Sequence, residues 1–84
     1  MERVEFTYKY RRYSGDHIGL YADSNSNYNI VYAFNKVMVL PSKVKLNFVR
    51  ICTQEEENRS NKKFKLFKEQ NPEFLQRLEE NIYF

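Results

Sequence analysis

His17 and Cys52 are the only histidine and the only cysteine of this 84-residue chain, so imidazole and thiolate chemistry each have one candidate. A nucleophilic Cys/His pair needs the two side chains in hydrogen-bond contact and a third group to orient the base. A zinc site needs three or four Cys, His or carboxylate ligands. The two residues lie far apart in sequence with no such ligands clustered about them, and they read as a turn histidine and a strand cysteine. Glu55-Glu56-Glu57 brings three carboxylates together, but the acids of a glycosidase face each other across a cleft. Three neighbours in a charged loop do not provide that. Asp23-Ser24-Asn25-Ser26-Asn27 begins like a calcium loop, yet Tyr28 stands where a glycine should turn the chain and Phe34 where an acid should close it. Gly15 and Gly19 are the only glycines, so no glycine-rich cradle for a nucleotide phosphate exists. The expectation is no catalytic residue, no metal, no cofactor, and no enzyme.

What the chain does offer is rings interleaved with cations. Tyr and Phe number seven each, and Phe6-Thr7-Tyr8-Lys9-Tyr10-Arg11-Arg12-Tyr13 packs four of them into one basic run. Alternate residues of a strand share a face. Val4, Phe6, Tyr8 and Tyr10 then fall on one side, and Lys9, Arg11 and Tyr13 on the other. Further along, no acid occurs between Asp23 and Glu55, while Lys36, Lys43, Lys45 and Arg50 do. Residues 59–68 hold Arg59, Lys62, Lys63, Lys65 and Lys68 without an acid, whereas Glu69, Glu73, Glu79 and Glu80 outnumber Arg77 beyond them. A basic body with an acidic end draws polyanions to one side.

The elements that would position these residues follow from period and punctuation. Residues 3–13 alternate as a strand, Ser14-Gly15-Asp16 reads as a turn, and Ile18 to Ala22 as a return strand. Tyr28 to Phe34 alternates again, a break at Asn35-Lys36 leads into Val37 to Leu40, and Pro41 ends that run. Val44, Leu46 and Phe48 alternate in a strand continuing to Cys52; Gln54 to Asn61 reads as a loop, and Lys63 to Phe67 as a short last strand. Asn71 as N-cap, Pro72 at the first helical position, and an apolar stripe of Phe74, Leu75, Leu78 and Ile82 predict a terminal helix. The expected architecture is α+β. It is a small twisted antiparallel sheet of about five strands within 3–68, with one C-terminal helix, about 72–83, packed on one face. All of it forms a single domain spanning 1–84. Phe6, Ile30, Tyr32, Leu46, Phe48, Leu66 and the stripe of the terminal helix make up its expected core.

The order of Lys43 to Cys52, a polar loop, Lys63 to Phe67 and a helix from Asn71 resembles the plan of the positive-cofactor, Pur and Whirly group of single-stranded nucleic-acid binders. Those are small antiparallel sheets closed by a C-terminal helix. A truncated pleckstrin-homology-like module shares the strand-then-helix ending. Neither resemblance carries a residue role.

The expected function is that of a non-enzymatic binding module. It would hold nucleic acid through a basic, aromatic sheet face bearing Lys9, Arg11, Arg12, Tyr13, Lys45, Lys63 and Lys65. The alternative is a small accessory or inhibitor protein, of the kind a virus, phage or mobile element encodes, that occludes a partner such as a nucleic-acid-handling protein. A small sheet leaves edges to cover, which suits a homodimer. A lone cysteine fits a reducing, cytoplasmic setting. No apolar run approaches the ~20 residues of a membrane span, so no membrane partner is expected.

Overall fold

The computed structural model describes residues 1–22, 26–73 and 79–80. Five antiparallel strands form one sheet: β1 (Glu2–Tyr8), β2 (Arg11–Ala22), β3 (Asn27–Ala33), β4 (Lys36–Pro41) and β5 (Asn47–Ile51). One helix, α1 (Gln54–Gln70), follows them, and a two-residue strand, β6 (Glu79–Glu80), pairs with Tyr21 and Ala22 of β2. The spatial order is β4-β3-β2-β1-β5, with β5 on the open flank of β1. The class is α+β, with the helix C-terminal to the five strands.

Register assigns the two faces. Val4 and Phe6 stand opposite Gly15 and Tyr13, and with Val31, Ala33, Met38 and Leu40 they build the apolar cluster of one face. Arg3, Asp16, Ile30 and Tyr32 point to the other face, where α1 lies and where the Ser60 hydroxyl reaches Asp16. The link from β4 to β5 must pass from one edge of the sheet to the other. It crosses over the first face, where Val44 and Leu46 pack against the cluster. A register shift between His17 and Gly19 inserts one extra residue into β2. Such a bulge exchanges the faces of the residues that follow, so Tyr21 meets Phe64 of α1 edge-on at 5.8 Å.

Both faces are therefore covered. Val4 and Val31 on one side, and Asp16 and Ile30 on the other, are all 0% exposed. The open, basic aromatic sheet face expected from the sequence does not form, because the strap of Val44 and Leu46 occupies one side and α1 the other.

The first eleven alternating residues are also not one strand. Lys9 (φ 50°) and Tyr10 (φ 65°) form a two-residue turn between β1 and β2, and Phe34 (φ 49°) and Asn35 (φ 58°) form another between β3 and β4. Two positive φ values are what a tight hairpin needs to match the twist of its strands, and Asn-Gly is the usual solution. Side-chain-bearing residues in this region cost roughly 1–2 kcal/mol each. Ser14-Gly15-Asp16, expected as a turn, lies inside β2. There a Cβ on Gly15 would stand 2.5 Å from the Tyr32 carbonyl oxygen and 2.8 Å from Val31 Cγ1, so glycine is what lets β2 and β3 approach.

The largest correction concerns residues 54–70, expected as a loop and a strand and found as α1. Thr53 and Glu56 form a capping box: Thr53 Oγ1 accepts from the Glu56 amide at 3.2 Å, and Glu56 Oε1 from the Thr53 amide at 2.9 Å. Glu55, Glu56 and Glu57 occupy the first turn and Lys68 the last, which complements the helix dipole. Asn71, expected to open a helix, closes this one: its side-chain amide donates to the Phe67 carbonyl at 2.8 Å. Of the helix expected over 72–83, Pro72 and Glu73 are helical, residues 74–78 and 81–84 lie outside the described residues, and Glu79–Glu80 is strand.

Candidate functional site

The site is built outward from a buried carboxylate. Asp16 is 0% exposed and gathers three elements. Arg3 Nη1 of β1 donates to its Oδ1 at 2.6 Å, the Ser60 hydroxyl of α1 to its Oδ2 at 2.6 Å, and the Cys52 thiol to Oδ1 at 3.4 Å. A buried carboxylate holds its charge only when paired and hydrogen-bonded, and here every such need is met: among the described residues no buried side-chain polar atom lacks a partner. Burial, reinforced by the neighbouring Asp16, pushes the Cys52 thiol up from 9.0 to about 11. That keeps it protonated and inert as a nucleophile at neutral pH. His17 hydrogen-bonds Asn29 Oδ1 at 2.8 Å and stands edge-on to Phe48, so no Cys/His pair forms. No cluster of three metal-binding side chains occurs among the described residues.

Arg3 is consequently held in one orientation. It is 25% exposed, and it lines a groove of about 630 Å³ between the sheet and α1. Arg12 of β2 and Arg59 of α1 line the same groove, against one carboxylate, Glu5. Glu5 reaches Arg12 only at 4.0 Å, with both side chains largely in solvent, a contact of little energetic weight. Arg59 has no acidic partner among the described residues. Tyr13, Tyr32 and Phe34 supply rings to the walls.

A second hollow of about 320 Å³ shares Tyr32 and Asn35 with the first and continues along α1, with Lys36 and Lys63 at its sides. Arg59, Lys63, Leu66 and Gln70 recur at helical spacing, so one flank of α1 walls both hollows. Ser60 and Phe64, one position on from Arg59 and Lys63, turn inward to the sheet. The flank is thus fixed by what the helix buries.

The β3–β4 hairpin tip borders the groove, which Phe34 and Asn35 line. The chain reverses once between the two hairpin turns, so the β1–β2 and β3–β4 turns project from the same end of the sheet. Tyr10 is wholly in solvent at 104% exposure, and Phe34 is 63% exposed with only an edge contact to Tyr13, 5.2 Å between centroids.

At the opposite edge, Arg50 donates twice to Glu56, at 2.8 and 2.9 Å. This fork, with the Thr53 amide, holds the Glu56 carboxyl down at about 2. The whole of β5 is exposed, and Phe48, Val49 and Ile51 form an apolar edge beside this pair.

Of the residues expected at the site, Arg12 and Tyr13 line the first hollow and Lys63 the second. Tyr13 is mostly core: it stacks on Phe6 at 5.1 Å with the rings 10° apart. Lys9 sits in the β1–β2 turn with its ammonium 5.3 Å from the centre of the Tyr8 ring, and Arg11 follows it. Lys65 is exposed on α1 and Lys45 belongs to the strap, and neither lines the hollow that Arg12 lines. Sequence reasoning missed Arg3, Phe34, Lys36 and Arg59 as a group. Arg59 stood in the acid-free run, but Arg3 gave no signal, because its role depends on the β1–β2 register that sets it opposite Asp16.

No protein-family model, no curated protein and no solved structure matches the chain. The element order behind the resemblance to single-stranded nucleic-acid binders is also absent, since Lys63 to Phe67 is helical. No helix among the described residues is long and apolar enough to cross a membrane.

Proposed function

We propose that this protein is a non-enzymatic nucleic-acid-binding module whose contact surface is the groove between α1 and the sheet together with the two hairpin tips. The observation that carries the reading is the lining of the groove: Arg12 and Arg59, neither closely paired with an acid, beside Arg3, which Asp16 holds in place, with aromatic walls. Arginine forks match phosphate oxygens two at a time, and a guanidinium whose orientation is already fixed loses less freedom on binding. Lys36 and Lys63 extend the positive lining by one further hollow. The buried, reduced Cys52 thiol suits a cytoplasmic setting.

Fluorescence anisotropy with labelled oligonucleotides at 50 and 200 mM salt tests this. Affinity is expected to fall with salt, by a log–log slope of about 0.7 per phosphate contacted on a single strand. Absence of binding at the lower salt would overturn the proposal.

A second reading rests on the β5 edge. An exposed edge strand bearing Phe48, Val49 and Ile51 offers unpaired backbone groups and apolar side chains to another chain. An accessory or inhibitor protein, or a homodimer, would use it. Capture of one partner from source lysate that survives nuclease and is lost in Val49→Lys favours this reading. Sedimentation of the purified chain separates out self-association.

A further inference from the structure

The turns of the two hairpins carry an unexplained cost. Asn35 suits its positive φ, but Lys9, Tyr10 and Phe34 adopt one where asparagine or glycine would serve, and two of these three are rings pushed into solvent. Nothing in the fold needs those rings outside. Tyr10 has no ring or hydrogen-bond partner among the described residues, and Phe34 touches Tyr13 only at its edge. A backbone held in a sparsely populated region at an exposed tip is a pointer to function.

Resting on the nucleic-acid reading above, we infer that the ligand is single-stranded. Its phosphates lie along Arg12 and Arg59, and its unstacked bases lie on the rings of Phe34 and Tyr10. The chemistry selects the strand state. A side-chain ring meets the face of a base only when that face is not already covered by a neighbouring base pair, as it is throughout a duplex. Phe34 lines the same groove as the arginines, so a base on its ring and a phosphate at Arg12 or Arg59 can belong to one short stretch of strand. Stacking accepts any base, so the preference is for strand state and not for sequence.

The test uses the full chain, a labelled 12-nucleotide DNA, the same sequence as RNA, and its DNA duplex, by anisotropy at 50 mM salt. The wild type is expected to favour either single strand over the duplex by about 10-fold or more, and the DNA and RNA arms show whether the sugar is read. Tyr10→Gly relieves the φ of 65° and removes the ring, so it is expected to melt higher while binding single strands about 5-fold more weakly. Phe34→Asn is expected to lose at least as much affinity. Circular dichroism verifies that each variant is folded. Failure of the wild type to bind any of the three polyanions defeats the underlying reading. Salt-dependent binding in which the duplex is held as tightly as the strands, or in which the Tyr10 and Phe34 variants match the wild type, defeats this inference alone and leaves the tips to a protein partner.

Discussion

Asp16 is the residue on which the others depend. Its two oxygens tie β1, α1 and the segment after β5 together, and they orient the one groove arginine that is not free to swing. Removing one member of a buried, hydrogen-bonded pair leaves the other uncompensated, at about 3–5 kcal/mol. Arg3 retains some access to water, so Asp16→Ala is expected near the lower end, about 3 kcal/mol, read as a shift in urea midpoint at unchanged slope. A change below ~1 kcal/mol would mean that the three contacts are not made together in solution. Cys52 reports on the same cluster. Its proton is held up to about 11 in the folded chain against 9.0 when free, so the contribution is complete below pH 9 and is lost as pH rises through 11. At pH 8 iodoacetamide is expected to label the native thiol far more slowly than the urea-unfolded one. Equal rates would place the thiol in solvent.

At the scale of elements, α1 is set by its first turn. Glu56 serves the capping box and the Arg50 fork at once, and its carboxyl sits at about 2 against the ordinary 4.5. A carboxyl that binds its proton more weakly in the folded state adds stability above pH 4.5, and that contribution drains away as pH falls toward 2. Glu56→Gln is therefore expected to be less stable than wild type at pH 7 and to converge with it near pH 2, in urea titrations across that range. Parallel curves would show that the fork is not formed in solution. The signal for this helix stood in the sequence as Thr53-x-x-Glu56, followed by acids and then by lysines. It was obscured because α1 buries little that is apolar. Its inward face is Ser60 and Phe64, one of them a hydroxyl aimed at Asp16, so a hydrophobic stripe of period 3.6 is missing. Phe64 and Leu66 two residues apart imitate a strand instead. The β3 and β4 strands were legible because alternation and Pro41 bounded them. The β1–β2 turn was not, since Lys9-Tyr10 lacks glycine and asparagine and the alternation runs straight through it.

At the scale of the whole molecule, charge is sorted along a seam. The groove cations Arg12 and Arg59 come from opposite walls, one on the sheet and one on the helix. Replacing both with Gln is expected to lower the salt slope for oligonucleotide binding by about 1.4, two phosphate contacts' worth, while changing the melting temperature little because both are exposed. An unaltered slope would put the polyanion elsewhere on the surface. The site expected from the sequence was half legible for the same reason: composition announces that cations and rings are plentiful, but only the pairing of β1 with β2 and the docking of α1 decide which of them meet. The way β5 is delivered has a kinetic consequence. β1 to β4 are chain neighbours and zip together through local contacts, whereas β5 and α1 arrive only after the strap bearing Val44 and Leu46 has traversed the sheet. Until that crossing is complete Asp16 is hydrated and Arg3 swings freely. The carboxylate that anchors the finished protein is thus among the last groups to be dried, and how fast the molecule matures depends on a short tether reaching the far shore.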